Sequence, residues 1–268
     1  MHTLRNKLLF YGAAVAAGCS SLALHRYMMN NCFDDKGLLI AGNLPELLML
    51  AVGAAFVLGM GLLVRRLGGD GTYEDNFPRD MVSGVLLVAA GLVLAMGTDA
   101  QTQPLEQTGG VRLLGSVLEI GGRVLPWLAA GFMAVLGVCR IQGRRPRPVF
   151  SGLVCLYFML MLVRDYRLWS ADPQVHNYAY QLLAGVLLML CAFHRTCCDA
   201  GIIQRRKLIL TGLMAAVCCT ASLSMPFRQS FYLASALWGF GCICEPAVLP
   251  PDPVEEEKPE EAPEAEEE

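Results

Sequence analysis

The chain has 268 residues, of which 54% are hydrophobic and a further 27 are glycine. That apolar share exceeds the ~45–50% of soluble proteins and cannot be hidden in one aqueous core, so an ordinary soluble domain is excluded. The net charge of −3 divides unevenly: residues 245–268 hold ten Glu, one Asp and one Lys, a net of −10, which leaves residues 1–244 at +7.

The apolar runs have the length that a ~30 Å hydrocarbon layer asks of a helix, roughly 17–25 residues. In chain order they fall at 8–28, 44–64, 81–98, 122–139, 148–164, 173–194, 208–224 and 226–244. The first follows Arg5 and Lys7 and contains Ala-Ala-Gly-Cys at 16–19, which resembles a lipoprotein signal with Cys19 as the lipidated residue. Ala16 at the third position before that cysteine and the apolar continuation at 22–24 favour an uncleaved span instead.

The second run opens on Asn43-Leu44-Pro45-Glu46, where proline suits a first helical position and glutamate the positive end of the helix dipole. Before the fourth run, residues 105–120 read as a separate amphipathic piece lying along the membrane interface, with Glu119 and Arg123 spaced for a helical ion pair. The sixth run begins at Asp172-Pro173, with Asp172 as N-cap. Beyond the eighth run the Pro- and Glu-rich segment at 245–268 has almost nothing apolar to bury and reads as a disordered acidic tail.

The expected fold is therefore an all-α bundle of about eight transmembrane helices at 1–244. With the N-terminus on the cytoplasmic side, thirteen Lys and Arg fall in or beside inner loops and seven on the outer side, led by the inner clusters at 140–147 and 205–207. This bias orients both termini toward the cytoplasm of a cell membrane. A recurring order of landmarks, a basic-aromatic patch at 25–27 and at 164–169 and then a double arginine at 65–66 and at 205–206, is compatible with two tandem four-helix halves. Eight unrelated helices sharing topology signals are the other reading. Small residues four apart, Gly12 with Ala16, Ala14 with Gly18, Ala55 with Gly59 and Gly91 with Ala95, would let helices approach closely.

Catalytic and phosphate-binding motifs are absent from the sequence, and the middles of the apolar runs carry no ionisable residue, which disfavours an ion-coupled pump. Ionisable and aromatic residues collect at the outer ends. Glu119, Arg123, Asp165, Arg167, Trp169, Asp172 and His176 are the candidate ligand-binding set of an outer vestibule, where arginines would pair anions and aromatic rings would stack. An interfacial aromatic belt with helix caps is the plainer alternative.

Eleven cysteines do not form an outer disulfide framework, since Cys32 alone lies clearly in an outer loop. Cys191, His194 and Cys198 share a helix face and form a weak candidate metal set lacking a fourth ligand. No cofactor and no nucleic acid are expected. The bilayer is the expected partner, with a membrane or cytoplasmic protein at the acidic tail. The chain as a whole resembles multi-pass proteins of bacterial membranes. Three functions are compatible with it: a non-enzymatic accessory or receptor-like protein, a permease for a neutral or lipid-like solute, and an outer-face enzyme on a lipid-linked substrate using Asp165, Asp172 or His176.

Overall fold

The computed structural model describes residues 2–32, 42–65, 72–97, 112–169, 179–225 and 228–243, with the side chains of 2–7, 112–120 and 168–169 outside that description. The acidic tail at 245–268 lies outside it as well. Among the described residues the secondary structure is entirely helical: α1 (His2–Asn31), α2 (Leu44–Arg65), α3 (Tyr73–Asn76), α4 (Met81–Met96), α5 (Arg112–Gln142), α6 (Pro148–Trp169), α7 (Ala179–Ala200), α8 (Arg205–Ser222) and α9 (Gln229–Gly241).

Local chemistry sets the helix ends. Asn43 Oδ1 accepts from the Glu46 amide at 2.9 Å and Glu46 Oε2 from the Gly42 amide at 3.0 Å, so the α2 start is capped reciprocally. Thr72 and Asp75 form a capping box on the single turn of α3, and Asp80 caps α4 through the Val82 amide at 3.0 Å. Two helices end in left-handed glycines, α5 at Gly143 (φ 69°) and α7 at Gly201 (φ 100°). Beyond each, an amide reaches back to the last turn, Arg144 to the Cys139 carbonyl and Ile202 to that of Cys197.

Two expectations need correction. Over residues 112–120 the segment before the fourth apolar run is not a separate interfacial piece, because α5 is continuous from Arg112; residues 105–111 lie outside the described residues. No capping residue interrupts it, and its 31 residues span about 46 Å, more than a perpendicular crossing needs. The sixth run does not end before Arg195 either, because the helix continues to its glycine stop and carries Arg195 inside α7. Asp172, read as its N-cap, lies outside the described residues.

Helices α4, α5, α6, α7, α8 and α9 pack in a closed ring, each against the next and α9 against α4. Phe158 of α6 meets Trp238 and Phe231 of α9 at ring-centroid distances of 6.2 and 6.4 Å, filling the space between them. Helix α1 packs on α8 from outside the ring, and α2 packs on α1 with a lighter contact to α8.

Helices meet closely where side chains vanish. A Cβ added at Gly137 would stand 2.6 Å from the Gly84 carbonyl oxygen across α4 and α5, and one at Gly239 would stand 2.8 Å from that of Gly212 across α8 and α9. Gly91 and Gly18 also face neighbouring helices, whereas a Cβ added at Gly12 or Gly59 would meet nothing within 4 Å among the described residues.

The outer surface is apolar. Leu50, Leu58 and Leu62 of α2 and Val82, Leu92 and Met96 of α4 stand exposed, an arrangement that water would penalise and hydrocarbon accepts. Five helices are long and apolar enough to cross a membrane: α1 over Leu8–Asn31, α2, α5 over Gly121–Gln142, α6 over Pro148–Arg167, and α7. These features mark the chain as a membrane protein.

Candidate functional site

Buried ionisable residues gather in the terminal turns of the ring helices and form two clusters at opposite ends. The first lies where α6 ends and α9 begins. Asp165 of α6, 6% exposed, is ion-paired to the guanidinium of Arg228, 3% exposed. Arg228 is the only described non-glycine residue with positive φ, at 54°, and it starts α9 without a side-chain cap. A left-handed arginine is strained by about 1 kcal/mol or more, and its bond to Asp165 helps hold it there.

Arg164 is buried beside them. Its Nη1 would be 3.2 Å from a Cβ at Gly122, so the glycine on α5 makes room for the guanidinium. Tyr157 and Tyr232 are buried against this charge, and the Tyr232 hydroxyl has no hydrogen-bond partner among the described residues. Nearby, the buried His25 ring of α1 bonds through Nδ1 to the Ser224 hydroxyl and lies edge-on to Tyr180 at 5.3 Å.

The second cluster lies at the opposite end, where α5 and α7 finish. Arg195 Nε stands 3.1 Å from Asp199 Oδ1, with the two side chains 2% and 0% exposed. The one-turn helix α3 sits against this pair. Tyr73 donates to Asp199 at 3.4 Å, and Arg195 donates back to the Tyr73 oxygen at 3.4 Å. The Tyr73 and Phe77 rings stack at 4.8 Å, with Arg195 and Arg140 over Phe77 at 4.4 and 5.1 Å and Arg145 over Tyr73 at 5.3 Å.

Arg145 Nε also donates to the Asp199 carbonyl at 2.9 Å. Burial pushes the Tyr73 hydroxyl up to about 12, opposed by Arg195, so at neutral pH it is a protonated donor. Three guanidiniums and two rings thus tie a connecting segment to the bundle by cation–π contact and one shared carboxylate.

Of the seven residues expected in an outer vestibule, the structure describes the side chains of three. Arg123 lies exposed on α5, Arg167 is half-buried in the last turn of α6, and Asp165 turns inward to Arg228. The side chains of Glu119 and Trp169, and Asp172 and His176 entirely, lie outside the described residues. Helix α1 runs unbroken through Cys19, which is exposed.

Cys191 and Cys198 are buried, His194 is half-buried beside Gln204, and Cys198 Sγ accepts from the Gln204 amide at 3.4 Å. Among the described residues no three His, Cys, Asp or Glu side chains gather closely enough to hold a metal.

Sequence reasoning missed the second cluster. Arg195 falls among the charges on the inner side, and the Tyr73-to-Phe77 spacing of four residues, with Glu74 and Asp75 between the rings and Pro78 after them, is the available sign of an anchored aromatic pair.

The fold and its two charged ends define a polytopic all-α membrane protein. No family model matches the chain, and neither curated proteins nor solved structures show a significant similarity to it.

Proposed function

We propose that this is a non-enzymatic, multi-pass protein of the cell membrane, accessory or receptor-like, with eight membrane-crossing helices and both termini cytoplasmic. The observation that carries the non-enzymatic reading is the engagement of Asp165. It is the described member of the three outer acid–base candidates, and its carboxylate is committed to Arg228 inside the bundle. Catalysis would need that group presented to a substrate beside a second such group.

The eight-span reading draws on packing. Helices α4, α8 and α9 have 16, 18 and 13 residues, but they sit in the same ring as the full-length α5, α6 and α7. Short members of such a ring are accommodated by local thinning of the bilayer and by flanking residues. Helix α7 lies between α6 and α8 whereas α2 leans on α1 and α8, so we favour eight independent helices over a tandem duplication. The acidic segment at 245–268 would serve as a cytoplasmic tether for a basic partner.

The test compares two variants of the purified full-length protein by thermal unfolding. Asp165→Asn removes the carboxylate ion-paired to the buried Arg228 and should cost about 3–5 kcal/mol, whereas the apolar double variant Asp165→Leu with Arg228→Met should recover most of that loss. Full stability of Asp165→Asn would show that the carboxylate is not a structural clamp and would reopen the enzyme reading.

A permease for a neutral or lipid-like solute is the second reading. It is favoured by a side-opening apolar cavity of about 720 Å³ between α2 and the helices α1, α7 and α8.

A further inference from the structure

Ile243, just past α9, lies at the same end of the ring as the Arg195–Asp199 cluster. The Ser83 hydroxyl in the first turn of α4 donates to the Gly241 carbonyl at 2.5 Å, the Cys242 thiol is hydrogen-bonded to that of Cys191 on α7, and Arg195 is within electrostatic reach of Cys242. Because α9 stands between α4 and α8 in the ring, the chain passes Ile243 beside the starts of both helices.

That end is basic. Arg79 ahead of α4, Arg144, Arg145 and Arg147 in the α5–α6 turn, and Arg206 and Lys207 in the first turn of α8 are exposed there, and among the described residues the exposed acids facing them are Glu74 and Asp75. The flanking segments 1–7 and 66–71 add Arg5, Lys7 and Arg66 against Asp70 by sequence, so the sign holds. The start of α8 concentrates it: cations fill its first three positions, where the helix dipole is already positive, and Gln204 supplies no side-chain cap. The charge summed over this face, and not any one side chain, is what attracts an anion.

The chain carries its own complement. Nine of the ten glutamates of 245–268 fall at 255–268, and the first of them is twelve residues past Ile243. Twelve residues reach at most about 40 Å when extended and about 20 Å as a coil. With neighbouring axes 8–10 Å apart, opposite helices of a six-membered ring are at most about 20 Å apart, so the glutamates come within reach of every cation named. Exposed ion pairs are individually weak and screened by salt, but tethering over a matching distance supplies the acidic segment at about millimolar effective concentration.

We propose that the glutamates at 255–268 fold back on this basic end as an intramolecular, salt-sensitive cover, in competition with anionic headgroups of the bilayer. The inference goes beyond the tether proposed above, because a basic partner would gain the tail only by displacing it from the chain's own face. It holds for either orientation in the membrane, so an inverted topology would leave it standing.

The test uses purified full-length protein in phosphatidylcholine bicelles, with a zero-length carbodiimide joining carboxylates to amines and the products mapped by mass spectrometry. Amides between Lys207 and the 255–268 glutamates should form within single copies, at the monomer mass, and should fall at least fivefold between about 50 and about 500 mM salt. A second arm adds a fluorescent peptide of residues 254–268. It should bind at least tenfold more tightly to full-length protein carrying Glu→Gln at all nine of those positions than to the unaltered chain. Arg144→Gln with Arg147→Gln in that background should weaken the peptide several-fold, and the melt should not change because both arginines are exposed.

Equal peptide binding to the unaltered and Gln-tailed proteins would overturn the proposal, since it would show the face uncovered in both. So would the absence of Lys207 amides at low salt, or amides found only between copies, which would assign the face to a second copy. Loss of those amides when about a quarter of the lipid is phosphatidylglycerol would assign it to lipid headgroups and overturn the proposal as well.

Discussion

Single residues in this protein do their physical work at helix ends. Arg228 combines a left-handed backbone, burial and an ion pair, three features that each cost free energy alone and are compatible only together. Arg195 stacks its flat guanidinium 4.4 Å from Phe77 while bonding to Asp199. An ammonium cannot reproduce both contacts, so Arg195→Lys should lower stability by about 1–2 kcal/mol by thermal unfolding. An unchanged melt would show that charge alone suffices.

Tyr73 gives a pH signature. Its folded value is raised from 10.0 to about 12, so the folded protein holds that proton longer than the unfolded chain does. The stabilisation is present in full below pH 10 and is lost as pH rises toward 12. Tyr73→Phe should therefore show a smaller fall in melting temperature between those limits than the unaltered protein, and an identical fall would contradict the assignment.

Which of these residues turn inward was not legible in the sequence. In a soluble helix the polar stripe identifies the outer face, but a helix in hydrocarbon is apolar all round and that signal is lost. His25 and Arg26 are adjacent, yet His25 is buried and Arg26 exposed.

At the scale of elements, the apolar stretches read from the sequence each hold a helix, and the start of α2 at Leu44 follows its Asn-Leu-Pro-Glu signature. Ends were less legible. The α7 terminus is set by Gly201 in a left-handed conformation, seven residues past His194, the last residue before the charge at Arg195. Small-residue spacing was only partly informative, because the same pattern occurs at contacts and on open faces.

That difference is testable by substituting leucine at one glycine of each kind. Gly137→Leu would push a side chain into the Gly84 backbone and should cost about 1–3 kcal/mol or prevent folding, whereas Gly59→Leu meets nothing within 4 Å and should leave the melt unchanged. Comparable effects at both sites would contradict the α4–α5 packing.

Among the described residues six helices form a ring, α1 packs on α8 and α2 mainly on α1, and buried charge and aromatic contact gather at both ends of the ring. Helix α8 shows why composition underrates some helices. It is buried over most of its length and needs little hydropathy of its own, since its neighbours screen it from both water and lipid. Length and apolarity alone therefore pick out five helices, and the three further crossings we propose rest on the way the ring is packed.

Arginine placement gives the proposed orientation: the end carrying Arg140, Arg144, Arg145, Arg195 and Arg205 faces the cytoplasm, and the end carrying Cys32 faces outward. The most direct test of this eight-span, termini-inside arrangement is maleimide labelling of intact cells expressing single-cysteine variants. A variant keeping only Cys32 should react with a membrane-impermeant reagent from outside, and one keeping only Cys197, which is partly exposed, should react only after permeabilisation. Labelling of Cys197 in intact cells with Cys32 protected would contradict the arrangement.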